Sequence, residues 1–554
     1  MKNLWSFLLF LCAVSIYGQS YKITYEKWNN GAKLENQDAI WVFANPSLTL
    51  ISTETIFSGK AGFPSEQTYI NRNDHSVLQY AQLSKNRAIA MQDTSELKLQ
   101  SFEFIDETKT ILGYRCKKAK TIINSNTIEL WYTDGLNVQG APTVIGQNLG
   151  LVLEMSRNGN FVILATKVEK LKALPASISL PQTDFLDKPT YRDLLWKSRF
   201  VTLQIFENET VNFSDQSKSN DSILRFANGT VALRKVKFPA IGTGSPIFVQ
   251  LKTNSLGDAY DRTGSLFVIP VNDSNTFYKG FENGVNTLPI YENGNGKKYQ
   301  GVVLKDDYRP LTELMRFFTP FGIKQYNHIS LKDKQWHSEV QYRQDISELQ
   351  PILNDNELWV GVFIGNYDKG GHRVSVEITI HPQEEETSKT NFVLPLFNTT
   401  NVMEMGGQEY GTMFSKPKGL EVVFTLEKPV KNAQLRYITT GHGGWGKGDE
   451  FVPKKNSIYL DGQSAFAFVP WRQDCGSYRL FNPASGNFVN GLSSSDYSRS
   501  NWCPGTVTNP MFIDLGDLQA GEHTIHIDIP LGLPEGSSFS AWNVSGVLLG
   551  ETVE

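Results

Sequence analysis

His372-Arg373-Val374-Ser375-Val376-Glu377-Ile378-Thr379-Ile380 decides the fold class. Side chains of an extended strand alternate between two faces, so Val374, Val376, Ile378 and Ile380 fall on one side and Ser375, Glu377 and Thr379 on the other. Phe248 to Lys252, Ser265 to Pro270, Gly419 to Glu427 and His523 to Ile529 repeat the pattern, separated by stretches of Gly, Asn, Asp and Pro. Those separators are turn formers, and the whole reads as an antiparallel β protein. Long helices have no support. The best short one is expected at Asp345 to Leu349, capped by Asp345 and stopped by Pro351.

Two breaks in periodicity divide the chain. Pro175, Pro181 and Pro189 punctuate Leu174 to Asp193, which reads as a linker, and the acidic run from His381 to Lys389 follows a strong strand. The expected organisation is a β-rich N-terminal domain at 19–180, a linker at 181–195, and two further units at 196–382 and 383–554. Each downstream unit holds enough short strands for an eight-stranded antiparallel jelly roll, and the two rolls are expected side by side.

Met1-Lys2-Asn3, the apolar run Leu4 to Tyr17 and Gly18-Gln19-Ser20 have the order of a secretory signal peptide, 1–18, with Gln19 as the mature start. The run is too short to span a bilayer and no later segment is longer, so a secreted or periplasmic protein without membrane contact is expected. The net charge of −4 and dispersed basic residues give no nucleic-acid footprint. Aromatic residues are 12% of the chain and occupy loops as well as strands, which suits sugar binding and ordinary packing alike. Cys12 leaves with the signal; Cys475 and Cys503 bracket one loop-rich segment and form the natural disulfide, leaving Cys116 a buried thiol. No Cys/His cluster has metal spacing, and His523 and His526, three apart on a strand, point to opposite faces. No metal or cofactor is expected, and the protein is expected to be a monomer.

Three loops carry residues suited to chemistry. Gly257-Asp258-Ala259-Tyr260-Asp261-Arg262 lies between two strands and serves a turn as readily as a catalytic carboxylate. Thr439 to Phe451 contains Gly441, His442, Gly443, Gly444, Trp445, Gly446-Lys447 and Glu450. It nearly matches a phosphate-binding loop, but Gly448 stands where Ser or Thr is required and Pro453 prevents a prompt helix. Its glycines fit either a mobile surface loop or a backbone folded closely round a ligand, with Glu450 projecting into it. Arg499-Ser500-Asn501-Trp502-Cys503-Pro504-Gly505 sets Trp502 beside the expected disulfide, as a sugar platform or as a buried ring.

At these loops the chain resembles the peptide-N-glycosidase F family. Asp258 to Arg262 is similar to that family's Asp-Glu-Trp-Asp-Arg loop, with Asp261 on its principal catalytic Asp and Arg262 on the adjoining Arg. Glu313-Leu314-Met315-Arg316-Phe317-Phe318-Thr319-Pro320 is similar to another stretch of the same roll. Leu435-Arg436 through Gly441 and Ser457-Ile458-Tyr459-Leu460 set a register that puts Glu450 on the second catalytic acid. Arg499 and Trp502 to Gly505 match the last motif, with Cys475 on the partner cysteine. The family's additional Glu has no counterpart in Val362-Phe363-Ile364-Gly365, and its cysteines near the second acid are absent around Glu450. Residues 19–180 have no equivalent in the family enzyme; Tyr114 to Lys118, Trp131-Tyr132-Thr133 and Gly150 to Glu154 look like secreted GLPGLI-type β proteins.

The resemblance implies hydrolysis of the Asn–GlcNAc amide of N-glycoproteins and glycopeptides, in a groove between the rolls. Asp261 is expected to activate water and Glu450 to orient the linkage or supply the proton. Arg262 and Arg499 would hold sugar hydroxyls or an oxyanion, and Tyr260, Phe451 and Trp502 would line the cleft. Asp258, His442 and Trp445 join them as expected substrate contacts. A glycan-binding protein without catalysis and a copper monooxygenase are the alternatives; the second needs convergent His and Met ligands, which the sequence does not offer.

Overall fold

The computed structural model describes residues 19–552 except 36, 181–182, 327–329, 383–389, 416–417, 444–447, 484–492 and 535. The expected signal peptide and Trp445 therefore lie outside the described residues. Two compact units divide the chain, Met1–Arg199 and Phe200–Glu554. Among the described residues no helix is long and apolar enough to cross a membrane.

Among the described residues the first unit forms a sheet of thirteen strands, running from Ser20–Asn29 to Phe185–Leu186 and almost wholly antiparallel. Cys116 is buried in it as a free thiol. The segment expected to be a linker at 181–195 is structured where it is described. Phe185–Leu186 pairs in parallel with Arg87–Asp93, and a helix follows at Lys188–Lys197. Asp187 caps that helix by accepting from Thr190 N at 3.0 Å. Pro189 starts the helix because a first-turn residue has no helical partner for its N–H. Buried Tyr191 then ties the helix to the sheet, donating to Glu66 at 2.8 Å.

In the second unit, His372–Ile380 occupies the middle of a four-stranded sheet between Val201–Val211 and Ile247–Ser255. Val374, Val376, Ile378 and Ile380 are at most 6% exposed and enter a core shared with a six-stranded sheet. Burial of such a side chain contributes roughly 1.5–3 kcal/mol. The six strands include Thr263–Pro270, Thr312–Phe318 and Glu357–Ile364, and the edge strand Val507–Thr508 comes from far downstream. A second sandwich of two four-stranded sheets holds Val430–His442 and Ala541–Thr552 as central neighbours. Among the described residues the second roll thus has the eight strands expected, and the first sandwich has ten with its borrowed strand.

The short helix expected at Asp345 to Leu349 is a 3-10 turn at Ser347–Leu349, followed by a helix at Gln350–Leu353. Asp345 is not the cap expected: Ile346 holds that position without a side-chain bond, and Asp345 accepts from Ser347 N at 3.0 Å from one residue further out. Pro351 lies in the first turn of the second helix, so it helps begin that helix instead of stopping the first.

Buried polar groups join the sandwiches. Arg316 and Glu313, both 0% exposed, bind each other through two bonds of 3.0 and 2.7 Å. Arg316 also donates to Thr400 Oγ1 at 2.6 Å and Thr440 Oγ1 at 3.2 Å, while Glu313 accepts from Ser265 at 2.8 Å and Ser545 at 2.6 Å. Arg436 reaches the other way, donating to the carbonyls of Glu313 and Leu314 at 2.9 and 3.1 Å. A buried pair with every lone pair used fixes geometry as much as it stabilises.

Candidate active site

The loop before Thr263–Pro270 turns on Asp258. That side chain is 1% exposed; its two oxygens accept from Arg262 Nε at 2.7 Å and Nη2 at 2.9 Å, and Oδ1 also accepts from Tyr260 N at 3.2 Å. Asp258 is therefore the internal anchor of Arg262 and not the substrate contact expected, because its acceptors are already committed. Against the cost of burial, His372, whose Nε2 lies 3.5 Å from Oδ2, and the two bonds and charge of Arg262 hold its carboxyl well below the usual range. Arg262 N donates to Thr319 Oγ1 at 2.8 Å and Thr319 N returns a bond to Arg262 O at 2.9 Å. Asp261 is thus carried on a turn secured from both sides.

Glu450 arrives from the other roll on a loop anchored by a neighbour that carries no signal in the sequence. Asp449, 0% exposed, accepts from Gly532 N at 3.0 and 3.1 Å and from Trp542 Nε1 at 2.9 Å. Arg499 joins the two acids. Its Nη1 donates to Glu450 Oε1, and its Nη2 lies 3.0 Å from Asp261 Oδ2 and donates to Ser494 O at 2.6 Å. The approach to Asp261 is close enough for charge attraction but lacks hydrogen-bond alignment, leaving Oδ2 without a bonded partner. Arg499 is 1% exposed and serves the acids, so the sugar contact expected of it is replaced by an electrostatic one.

Burial raises both acids, and Arg499 opposes the shift in each. Glu450 moves up to about 7, with burial the main cause and the neighbouring Asp261 adding to it. One arginine balances one carboxylate; the second buried acid favours its proton. The pair is suited to acid–base work near neutral pH.

Trp502 lies behind this arrangement, 4% exposed, with Arg499 4.2 Å above its ring and Phe318 stacked at 4.3 Å. Its Nε1 donates to Gly441 O at 3.0 Å, and the Cys475–Cys503 disulfide forms next to it. Both faces of the ring are used, so Trp502 is a buried support and not the exposed platform or cleft lining expected. Tyr260 is 53% exposed and able to meet a sugar face; Arg262 lies 5.3 Å from its ring and equally far from the ring of exposed Tyr367. Phe451 is half-buried beside Arg499, 5.1 Å away.

A cleft of about 170 Å³ is lined by Asp261, Arg262, Glu404, Tyr410 and His442 among others. Thr440 Oγ1, already accepting from Arg316, lies 2.8 Å from His442 Nε2. If the imidazole donated there, the buried Thr440 hydroxyl would have no acceptor, so Thr440 donates and the ring carries its proton on Nδ1. Burial, with Arg316 and Arg499 nearby, lowers His442 to about 3 and keeps it neutral. Glu404 was invisible in the sequence reading. Its Oε1 accepts from the hydroxyls of Tyr367 and Tyr410, and a Cβ built on Gly365 would meet its Oε2 at 3.5 Å. A carboxylate thus reaches the Val362-Phe363-Ile364 end of strand Glu357–Ile364, where the resemblance expected an acid and the chain has none. Among the described residues no group of three or more His, Cys, Asp or Glu side chains is placed to hold a metal.

Family models match nearly the whole chain in three consecutive stretches. They are described as N-glycanase peptide, N-terminal domain, at residues 23–193, Peptide-N-glycosidase F, N terminal, at 202–380, and Peptide-N-glycosidase F, C terminal, at 409–549. The first match replaces the likeness of residues 19–180 to GLPGLI-type proteins and gives that segment a counterpart among N-glycanases. Two solved structures of PNGF-II, in space groups C2 and P21, share 57% and 58% identity with it and superpose with TM-scores of 0.87 and 0.89. Each covers 97% of this chain, which in turn covers 99% and 100% of theirs. The comparison with curated proteins returned no match. With its two acids drawn from two sandwiches onto one arginine, and with these matches end to end, the chain belongs to the peptide-N-glycosidase F family.

Proposed function

We propose that this protein is an amidase that cleaves the bond between an asparagine side chain and the first N-acetylglucosamine of N-glycoproteins and glycopeptides. The observation that carries the reading is the bridging of Asp261 and Glu450 by Arg499, with Asp261 lining the cleft. Asp261 takes a proton from water, and the water oxygen adds to the side-chain carbonyl carbon. Glu450, raised to about 7 by burial and by the neighbouring Asp261, protonates the amide nitrogen as the carbon–nitrogen bond breaks. The products are aspartate in the peptide and a 1-amino sugar on the glycan. Arg499 balances the charge as the proton moves between the acids, and neutral His442 supplies an N–H to a substrate carbonyl. Glu404, steadied by its two tyrosines, accepts from substrate N–H or hydroxyl groups.

In this reading the protein is exported and works as a monomer, and its N-terminal unit governs access without contributing catalytic groups. The Cys475–Cys503 disulfide suits an oxidising compartment. The test is to incubate the protein with a simple N-glycoprotein and weigh the peptide. A gain of about one mass unit at the former glycosylation site, from Asn to Asp, is expected. A peptide that keeps one N-acetylglucosamine identifies an endoglycosidase, and a glycan bound but never released identifies a lectin.

A further inference from the structure

Asn401 stands in the wall of the cleft, three residues before Glu404. It is 5% exposed, and neither its Oδ1 nor its Nδ2 has a hydrogen-bond partner. Buried carboxamides are almost always paired, so an orphaned one calls for a reason. The backbone around it is held. Thr399 N donates to Val544 O at 2.8 Å, Thr400 N to Asn398 Oδ1 at 2.9 Å, and Glu404 N to Asn401 O at 3.1 Å. Thr400 Oγ1 is also bound by Arg316 at 2.6 Å. The backbone that carries the amide is thereby fixed in place.

A carboxamide presents N–H donors and a carbonyl acceptor side by side. A trans secondary amide points its own N–H and C=O in opposite directions, so one such group satisfies only one end of Asn401. Two neighbouring amides satisfy both. The substrate class proposed above has that pattern: the linkage amide on the first carbon of the sugar and the acetamido group on the second. We propose that Asn401 is a specificity-determining residue whose carboxamide bridges these two vicinal amides, donating to the carbonyl of one and accepting the N–H of the other. This rests on the amidase reading. It assigns to Asn401 the discrimination between 2-acetamido sugars and sugars with a plain hydroxyl. A site built to pair with a polar group penalises the ligand that lacks it, because its own buried groups are then left unpaired.

Asn401→Leu nearly keeps the shape and removes both polar atoms. The free protein should lose no thermal stability, because an unpaired amide is replaced by an apolar group of similar size. Hydrolysis of a peptide bearing Asn-linked N-acetylglucosamine should fall in kcat/KM by about tenfold or more. The decisive measurement is the ratio of kcat/KM for that peptide to one bearing Asn-linked glucose, which is independent of the folded fraction. The ratio should collapse toward unity in Asn401→Leu. An unchanged ratio overturns the proposal, as does a Leu variant whose lost activity merely tracks lost folded protein. Should the wild type hydrolyse neither peptide, the amidase reading fails, and binding decides the residue's role. A thermal shift given by N,N′-diacetylchitobiose in the wild type and lost in Asn401→Leu supports amide recognition; a shift kept in full overturns it.

Discussion

Asp261→Asn preserves the shape of the side chain while removing its charge and its capacity to accept a proton from water. General-base contributions run to about 10²–10⁴-fold in rate, so kcat/KM should fall by at least about a hundredfold. That is roughly 2.7 kcal/mol of transition-state stabilisation. The structure adds a second expectation. Asp261 is one of the causes that raise Glu450, and Arg499, now shared with one acid fewer, lowers it. Glu450 in the variant must therefore titrate below its wild-type value of about 7. Because Glu450 acts as the proton donor, the descending limb of the residual pH–rate profile should move to lower pH. The assay is release of glycan from a defined glycopeptide, followed by mass from acid to alkaline pH, with glycan binding measured alongside. Binding should survive. Wild-type turnover by folded Asp261→Asn protein would refute the base assignment, and a descending limb that does not move would refute the electrostatic link between the acids.

Other consequences follow from the same geometry. Glu450 binds its proton more tightly in the folded chain than in the unfolded one, so between about 4.5 and about 7 the native state holds the extra proton and stability declines as pH rises. Glu450→Gln should therefore be more thermostable than wild type at pH 8, with the difference vanishing below pH 4.5, although it loses activity; equal melting curves at pH 8 would contradict the shift. Selective ¹⁵N labelling of histidine should find His442 neutral between pH 5 and 8 with a pyrrole-type Nδ1, and Thr440→Val should free the tautomer; a protonated Nε2 in the wild type would break the Arg316–Thr440–His442 chain of bonds. Removal of residues 19–199, the whole first unit, should leave a folded protein active on short glycopeptides. Complete loss on such substrates, with folding verified, would assign chemistry to that unit.

The sandwich architecture was legible because alternation is a local signal: His372 to Ile380 shows its two faces in nine residues and the structure buries the face expected. The two acids were legible only through resemblance, since no spacing in the chain predicts that residues on different sandwiches meet on one arginine. Trp502 was misjudged because sequence does not reveal what covers a ring, and here Phe318 and Arg499 occupy its faces. Asp258 was misjudged for the same reason, its acceptors being spent four residues away on Arg262. Pro189 read as a break in periodicity, whereas behind the cap at Asp187 a proline is a favoured way to open a helix. Glu404, Asp449 and Asn401 carried no local signal at all. Each matters through what the tertiary fold sets against it, a pair of tyrosines, a loop backbone, or nothing.

Strand Val507–Thr508 bears on how the chain is made. Paired with Phe317 and Arg316, it covers an edge of Thr312–Phe318, a strand buried along its full length. Synthesis delivers that cover almost two hundred residues after the strand it protects. Until then the first sandwich exposes an apolar sheet margin, the kind of surface on which nascent chains stick to one another. The two sandwiches would therefore mature together as one late event, once Val507–Thr508 is available. Truncation before residue 507 should accordingly yield aggregate in place of a shorter soluble protein.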